Sequence, residues 1–277
     1  MNCRISVVVP TIGRATLALS QEGLARQIRP PDEIIVVHDD ERRGPGWARN
    51  RGIERSSGDI IAFLDDDAVP PPGWLSTMLQ TIEETGVDGA GGSYEETDPL
   101  LKEIRASRPL PVTTVVDAFG LAGNSGNLLL KRPVLEECLR RDGYCFIESW
   151  GVYGSEDWEL MMRIHAYGFR LAYVPVHVKH LRTVTVRGYM VHQFNRGVGI
   201  WLLHDQIRKR RTTPPQQSIL WDPGRPAILR WVHAAGAKLI GPTNASAFSR
   251  MRFFVIHWLA EKAQGMGFLW GRIHHGR

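Results

Sequence analysis

A chain of 277 residues with 43% hydrophobic content carries enough apolar material for one large domain, or for one domain with an appendage. The net charge of +5 favours anionic partners, but zinc-finger spacing, an RNP-like aromatic motif and a helix-turn-helix pattern are missing, so no nucleic-acid partner is expected. Cys3, Cys138 and Cys145 form no CxxC pair, which argues against both a zinc site and a disulfide framework. Such thiols fit a reducing, cytoplasmic setting. The first residues lack the order of a signal peptide, and no apolar run reaches the roughly 20 residues of a membrane-spanning helix. The expectation is a soluble protein, or one peripheral on the inner face of a membrane.

The chain opens with a predicted strand over Arg4 to Pro10, then a loop TIGR, then a helix with Leu17, Leu24 and Ile28 on one face. Pro10, Thr11 and Arg14 sit at the strand's carboxyl end, where a hydroxyl and a fixed positive charge suit a nucleotide. Neither GxGxxG nor GxxxxGK[ST] is present, so a dinucleotide fingerprint and a P-loop are unsupported. Glu33 to Val37 reads as a second buried strand, completing a βαβ unit and ending at His38, Asp39 and Asp40. A carboxylate there is placed to accept hydrogen bonds from a base or ribose. GPGWARNRGI, Gly44 to Ile53, turns into a helix whose Arg49 can fork onto phosphate oxygens or remain a surface residue.

The centre of the sequence is DIIAFLDDDAVPPPGWL, Asp59 to Leu75. Ile60 to Leu64 has the near-continuous apolar run of a strand covered on both faces, so Asp65, Asp66 and Asp67 fall at the sheet edge where α/β ligands bind. Three adjacent carboxylates repel one another, and a divalent cation is the simplest occupant that relieves this, although a solvated Asp turn has the same local pattern. Pro70 to Pro72 stop the strand, and Gly73 to Glu84 reads as a helix with Trp74, Leu75, Met78, Leu79 and Ile82 on one side. Val87 to Gly92 is a short predicted strand, and Tyr94 to Thr114 reads as an uninformative connection. Gly120 to Leu130 returns to strand character, followed by a helix over Lys131 to Arg141.

In GVYGSEDWELMMRIHAYGFRLAYVPVHVKH, Gly151 to His180, Ser155 is positioned to cap a helix with Glu156, Asp157 and Glu159 in its first turn. A carboxylate exposed at that helix start suits either capping or general-base chemistry. Gly168 ends the helix before a strand at Leu171 to Val174. Tyr189 to Ile207 reads as helical and Arg208 to Gln217 as a linker. The aromatic and basic stretch at 250–262 suits a membrane surface, a packed helix or an oligomer contact.

The ordered set VVVPTIGR, EIIVVHDD, GPGWARNRGI and IIAFLDDDAVPPPGWL resembles the nucleotide-binding half of inverting family 2 glycosyltransferases, and GSEDWEL followed by YVP and a histidine resembles their later half. The resemblance implies the α/β GT-A fold: a mostly parallel central sheet flanked by helices, with a helical C-terminal extension. It implies a catalytic domain over 1–207, split into a nucleotide-binding half (1–105) and an acceptor and base half (106–207), with 208–277 as linker and extension. It also implies a nucleotide-diphosphate sugar as donor, a glycan, lipid-linked or other hydroxyl as acceptor, and Mn²⁺ or Mg²⁺. By the same resemblance Asp39 meets the nucleobase and Arg49 the phosphates. Asp65, Asp66 and Asp67 form the DxD motif, with Asp65, Asp67 and His180 as metal ligands and His177 as the alternative. Asp157 is then the base, with Glu156 as its neighbour and runner-up. His38 interrupts the usual run into the acid, leaving Asp39 and Asp40 both open. A sugar-phosphate nucleotidyltransferase and a noncatalytic sugar-nucleotide-binding module are the competing readings.

Overall fold

The computed structural model describes residues 3–106, 110–117, 124–210 and 247–275. Eight strands form one sheet in the order β2-β1-β3-β7-β5-β8-β4, with β6 also on β8. They are β1 (Ile5–Thr11), β2 (Glu33–His38), β3 (Ile60–Leu64), β4 (Ala68–Val69), β5 (Gly89–Glu96), β6 (Val115–Val116), β7 (Asn127–Lys131) and β8 (Leu171–His180). β1 pairs parallel with β2 and β3, and β5 pairs parallel with β8. β7 enters antiparallel between β3 and β5, while β4 and β6 run antiparallel to β8. The shared strand direction of a GT-A sheet is therefore interrupted at its centre by one reversed strand.

The helices are α1 (Leu17–Ala25), α2 (Pro45–Arg55), α3 (Trp74–Thr85), α4 (Pro99–Ala106), α5 (Arg132–Asp142), α6 (Glu156–Ala166), α7 (Val186–Arg210) and α8 (Ala247–His275). Strand alternation sorts the core into two layers, because successive side chains leave a strand on opposite faces. Ile5, Val7, Val9, Ile60, Ala62 and Leu64 face α1 and α3, meeting Leu24, Leu75, Met78 and Ile82. Val8, Ile61 and Phe63 face α2, α5 and α6, meeting Ile53, Val134, Leu135, Leu160 and Ile164. Both layers close over β3, so Asp65 emerges from a strand with no solvent on either side.

Several expectations change. Ile28 lies beyond α1 and is 75% exposed, so it is no part of that helix's buried face. β2 is an edge strand with only Val37 fully buried, because an apolar run alone does not distinguish an edge from a centre. Tyr94 to Thr114, read as a connection, contributes the end of β5, all of α4, and β6 beside it. Arg208 to Arg210 belong to α7, and the rest of the expected linker lies outside the described residues. The 250–262 stretch falls within α8, which packs along α7. Among the described residues no helix is long and apolar enough to cross a membrane.

Asn127 pins the reversed strand. Its Nδ2 donates to the carbonyls of Ser93 and Val176, where β5 and β8 shift register, and its Oδ1 accepts from the Trp74 indole N–H at 2.7 Å. The side chain is fully buried. Asn127→Ala should therefore cost about 3 kcal/mol by leaving these groups unpaired, read as a lower urea midpoint with an unchanged slope. A loss under about 0.5 kcal/mol would show that water replaces the amide.

Candidate active site

β1 and β3 deliver Thr11 and Asp65 to the same edge because they are parallel neighbours in register. The three acids then diverge. Asp66 turns inward and is held by Thr11 Oγ1 and Arg14 Nη1, both at 2.6 Å. Its carbonyl also accepts from Ser20 Oγ. Arg14 reaches on to Asp67 at 3.2 Å while its own side chain stays 46% exposed, which leaves a cation at the mouth of the site. Pro10 precedes this cluster as a buried residue of β1.

Asp39 is buried, and its carboxylate closes the loop into α2 by accepting the backbone N–H groups of Arg43 and Gly44 at 2.8 and 2.7 Å. Arg49, expected to fork onto phosphates, is almost wholly buried and already forks onto two acids. Nη2 donates to Asp65 at 2.9 Å and Nη1 to Glu156 at 2.8 Å. One planar cation thus joins the acid loop after β3 to the first turn of α6, with Arg49 and Glu156 themselves 107 residues apart in sequence.

Asp157 follows Glu156 and accepts its neighbour Trp158's backbone N–H at 2.8 Å. Burial, together with the adjacent Glu156 charge, pushes its carboxyl up to about 7, although Arg49 pulls the other way. Ser155 does not cap α6 as expected. It holds a left-handed backbone, φ 69°, and makes no side-chain cap hydrogen bond.

The metal candidates separate. Asp67 and His180 come together, with Oδ1 to Nε2 at 3.5 Å, while Asp65 is taken by Arg49 and by the Tyr94 hydroxyl at 2.5 Å. Two donors 3.5 Å apart can share one divalent ion at bonds of about 2.0–2.2 Å. A carboxylate with an imidazole suits Mn²⁺ or a similar ion. Among the described residues no three His, Cys, Asp or Glu side chains gather to bind a metal, so the fit of an ion rests on this pair. His177 turns away to Ser93.

Sequence reasoning missed three residues here. The β5–β8 register sets Glu96 beside His180, and Glu96 Oε2 meets His180 Nδ1 at 2.7 Å. Burial works to lower the imidazole pKa, but hydrogen bonds to Asp67 and Glu96 overcome it and raise the value to about 9. Such a carboxylate partner orients a histidine ligand and raises its basicity. Tyr94 stacks on His180 with ring centres 4.3 Å apart, and burial beside Asp65 drives its hydroxyl well above the usual phenol range. Gly126 lies so close that a side-chain carbon there would overlap Tyr94 Oη and the Asp65 carboxylate.

Comparison with known proteins finds similarity to glycosyltransferases. The family described as Glycosyl transferase family 2 matches residues 20–117, which takes in Asp39, Arg49 and the three acids. The chain is 46% identical over 84 residues to glycosyltransferase AglE of Haloferax volcanii, covering 29% of this chain and 28% of that one. It is 31% identical over 161 residues to succinoglycan biosynthesis protein ExoM of Rhizobium meliloti, covering 56% and 50%. The chain thus spans at most half the length of these relatives. Mannosyltransferase PcManGT from Pyrobaculum calidifontis, solved with GDP-Man and Mn²⁺, superposes with a TM-score of 0.60 at 17% identity, covering 98% of this chain and 88% of that one. The segment 20–117 is thus similar to family 2 glycosyltransferases, and the chain as a whole shares the GT-A fold.

Proposed function

We propose that the chain transfers a sugar from a nucleoside-diphosphate donor to an acceptor hydroxyl, with a divalent ion and with inversion at the anomeric carbon. The observation that carries this reading is the Arg49 fork, which ties Asp65 at the sheet edge to Glu156, the neighbour of Asp157 on α6. The GDP-Man and Mn²⁺ held by PcManGT support the donor class and the ion. In this proposal residues 1–105 bind the donor, 106–207 supply the acceptor side and base, and 208–277 form the extension.

Asp67 and His180 would hold the ion, which when bound supplies positive charge to the departing diphosphate. The chain's own groups do the rest. Thr11 and Arg14 lock Asp66 in place, and the exposed Arg14 guanidinium faces the anionic donor. Asp39, with Pro10 and Thr11 beside it, borders the nucleoside. Arg49 keeps Asp65 and Glu156 apart from each other's charge. Asp157 accepts the acceptor proton as the hydroxyl oxygen bonds to the anomeric carbon and the bond to the diphosphate breaks on the opposite side. One displacement of this kind inverts the centre.

Asp67→Ala tests the donor end. Affinity for UDP or GDP with Mn²⁺ should fall at least about tenfold by calorimetry while the fold persists. Unchanged affinity would remove Asp67 from the ion site. The parent protein should release nucleoside diphosphate from its nucleotide sugar, and pyrophosphate as product would replace this reading with nucleotidyl transfer.

A further inference from the structure

The segment that delivers Asp157 to the site is strained and is gripped from three sides. It runs through a short 3-10 turn, Gly151–Tyr153, into Gly154 and Ser155. Gly151, Gly154 and Ser155 all hold positive φ, at 54°, 75° and 69°. For Ser155, a residue with a side chain, this conformation carries a cost that its surroundings must hold in place.

The surroundings are backbone contacts at glycines. On one side the loop before α2 presses on the turn, since a side-chain carbon at Gly44 would stand 2.5 Å from Gly151 O. On the other, Gly199 in the middle of α7 lies directly over the segment. A side-chain carbon there would stand 2.7 Å from the carbonyl oxygens of both Tyr153 and Gly154, and 2.9 Å from Ser155 Oγ. α7 is itself fixed by α8 through another close crossing, in which side chains at Gly197 or Gly267 would overlap the facing backbone at Gln264 or Phe194. α8 also reaches the segment directly, with the Tyr153 ring 6.0 Å from the rings of Trp270 and His275. Ile147 and Trp150, just upstream, bury themselves against Leu203 and Ile207 of α7.

We propose that the α7–α8 pair sets the catalytic base: Gly199, as a positioning residue, holds the 151–155 turn in its left-handed course, and Trp270 braces it from α8, so that Glu156 and Asp157 face the Arg49 fork. That Asp157 is the base rests on the proposed glycosyl transfer; the bracing of the turn does not. Gly199 touches no reacting atom. Its effect runs through the backbone that begins α6, where a displacement near 1 Å is enough to cost about a hundredfold in rate.

The test compares Gly199→Ala and Trp270→Ala with Gly265→Ala in the full chain. Gly265 is an exposed α8 glycine with open space around it, so its variant should match the parent in every measurement. Hydrogen exchange by mass spectrometry should speed up across 148–160 in the first two variants, with β3 unchanged. Their kcat should fall at least tenfold for Gly199→Ala and several-fold for Trp270→Ala, with affinity for UDP or GDP plus Mn²⁺ within twofold of the parent. Trp270→Ala removes atoms and adds none, so it still reports if Gly199→Ala fails to fold. Parent-like exchange over 148–160 in a folded variant would overturn the bracing, as would a loss confined to nucleotide affinity. Faster exchange in a protein whose parent turns over no nucleotide sugar would uphold the bracing and reject glycosyl transfer.

Discussion

Asp157→Asn is expected to bind UDP or GDP with Mn²⁺ as the parent does while transfer falls about 10²- to 10⁴-fold. The amide keeps the shape and the backbone contact to Trp158 but has no basic oxygen. The pH dependence follows from the environment of the carboxyl, which burial and the Glu156 charge push up to about 7. Only the ionised form accepts a proton, so the parent's kcat should climb through about pH 7 and then level off, and this limb should vanish in the variant.

Stability should move in the opposite direction. A carboxyl raised from about 3.9 when unfolded to about 7 when folded binds its proton more tightly in the native state. Its favourable contribution is complete below the unfolded value and is lost as pH rises through the folded one. At pH 8 the parent bears the full cost of the buried charge and the asparagine does not, so the variant should melt a few degrees higher there, with the gap closing near pH 4. Transfer at the parent rate would remove Asp157 from the role, and a lower melting temperature at pH 8 would show that its charge is compensated.

Gly126→Ala should abolish the site by crowding two of its side chains. The added methyl overlaps Tyr94 Oη and the Asp65 carboxylate, and neither can retreat freely. Tyr94 is stacked against His180, and Asp65 is tied to Arg49. Overpacking of this kind costs about 1–3 kcal/mol. Because the strain falls on Asp65, transfer should drop more than about a hundredfold even where the protein remains folded. Tyr94→Phe deletes the atom nearest the methyl, so the double variant should regain part of the lost stability, a coupling that a thermodynamic cycle measures directly. Additive losses would show that the methyl is accommodated elsewhere.

Much of this arrangement is legible in the sequence wherever local chemistry decides it. β3 reads as a strand because Ile60 to Leu64 is apolar throughout and the prolines at 70–72 follow, and Asp65 to Asp67 fall at its end for the same reason. α6 is marked by its acidic first turn and by Gly168 beyond it, although the left-handed Ser155 is not. What escapes is fixed by distant pairing. Glu96 matters because parallel pairing sets it opposite His180, and Tyr94 because its ring stacks on that histidine, and no spacing within 94–114 announces either fact. Arg49 reads as a phosphate ligand from its helix alone. Only the folded chain shows Glu156 already occupying one arm.

That occupied arm has an electrical consequence. Arg49 is nearly sealed from water, and charges so enclosed act on one another far more strongly than at a surface. Whatever neutralises Asp65 at the sheet edge changes the balance of the guanidinium that also restrains Glu156, and through it the proton hold of Asp157. In the proposed reaction, a cation brought beside Asp65 would therefore shift the Asp157 proton through Arg49 by charge alone, with no need for the backbone to move.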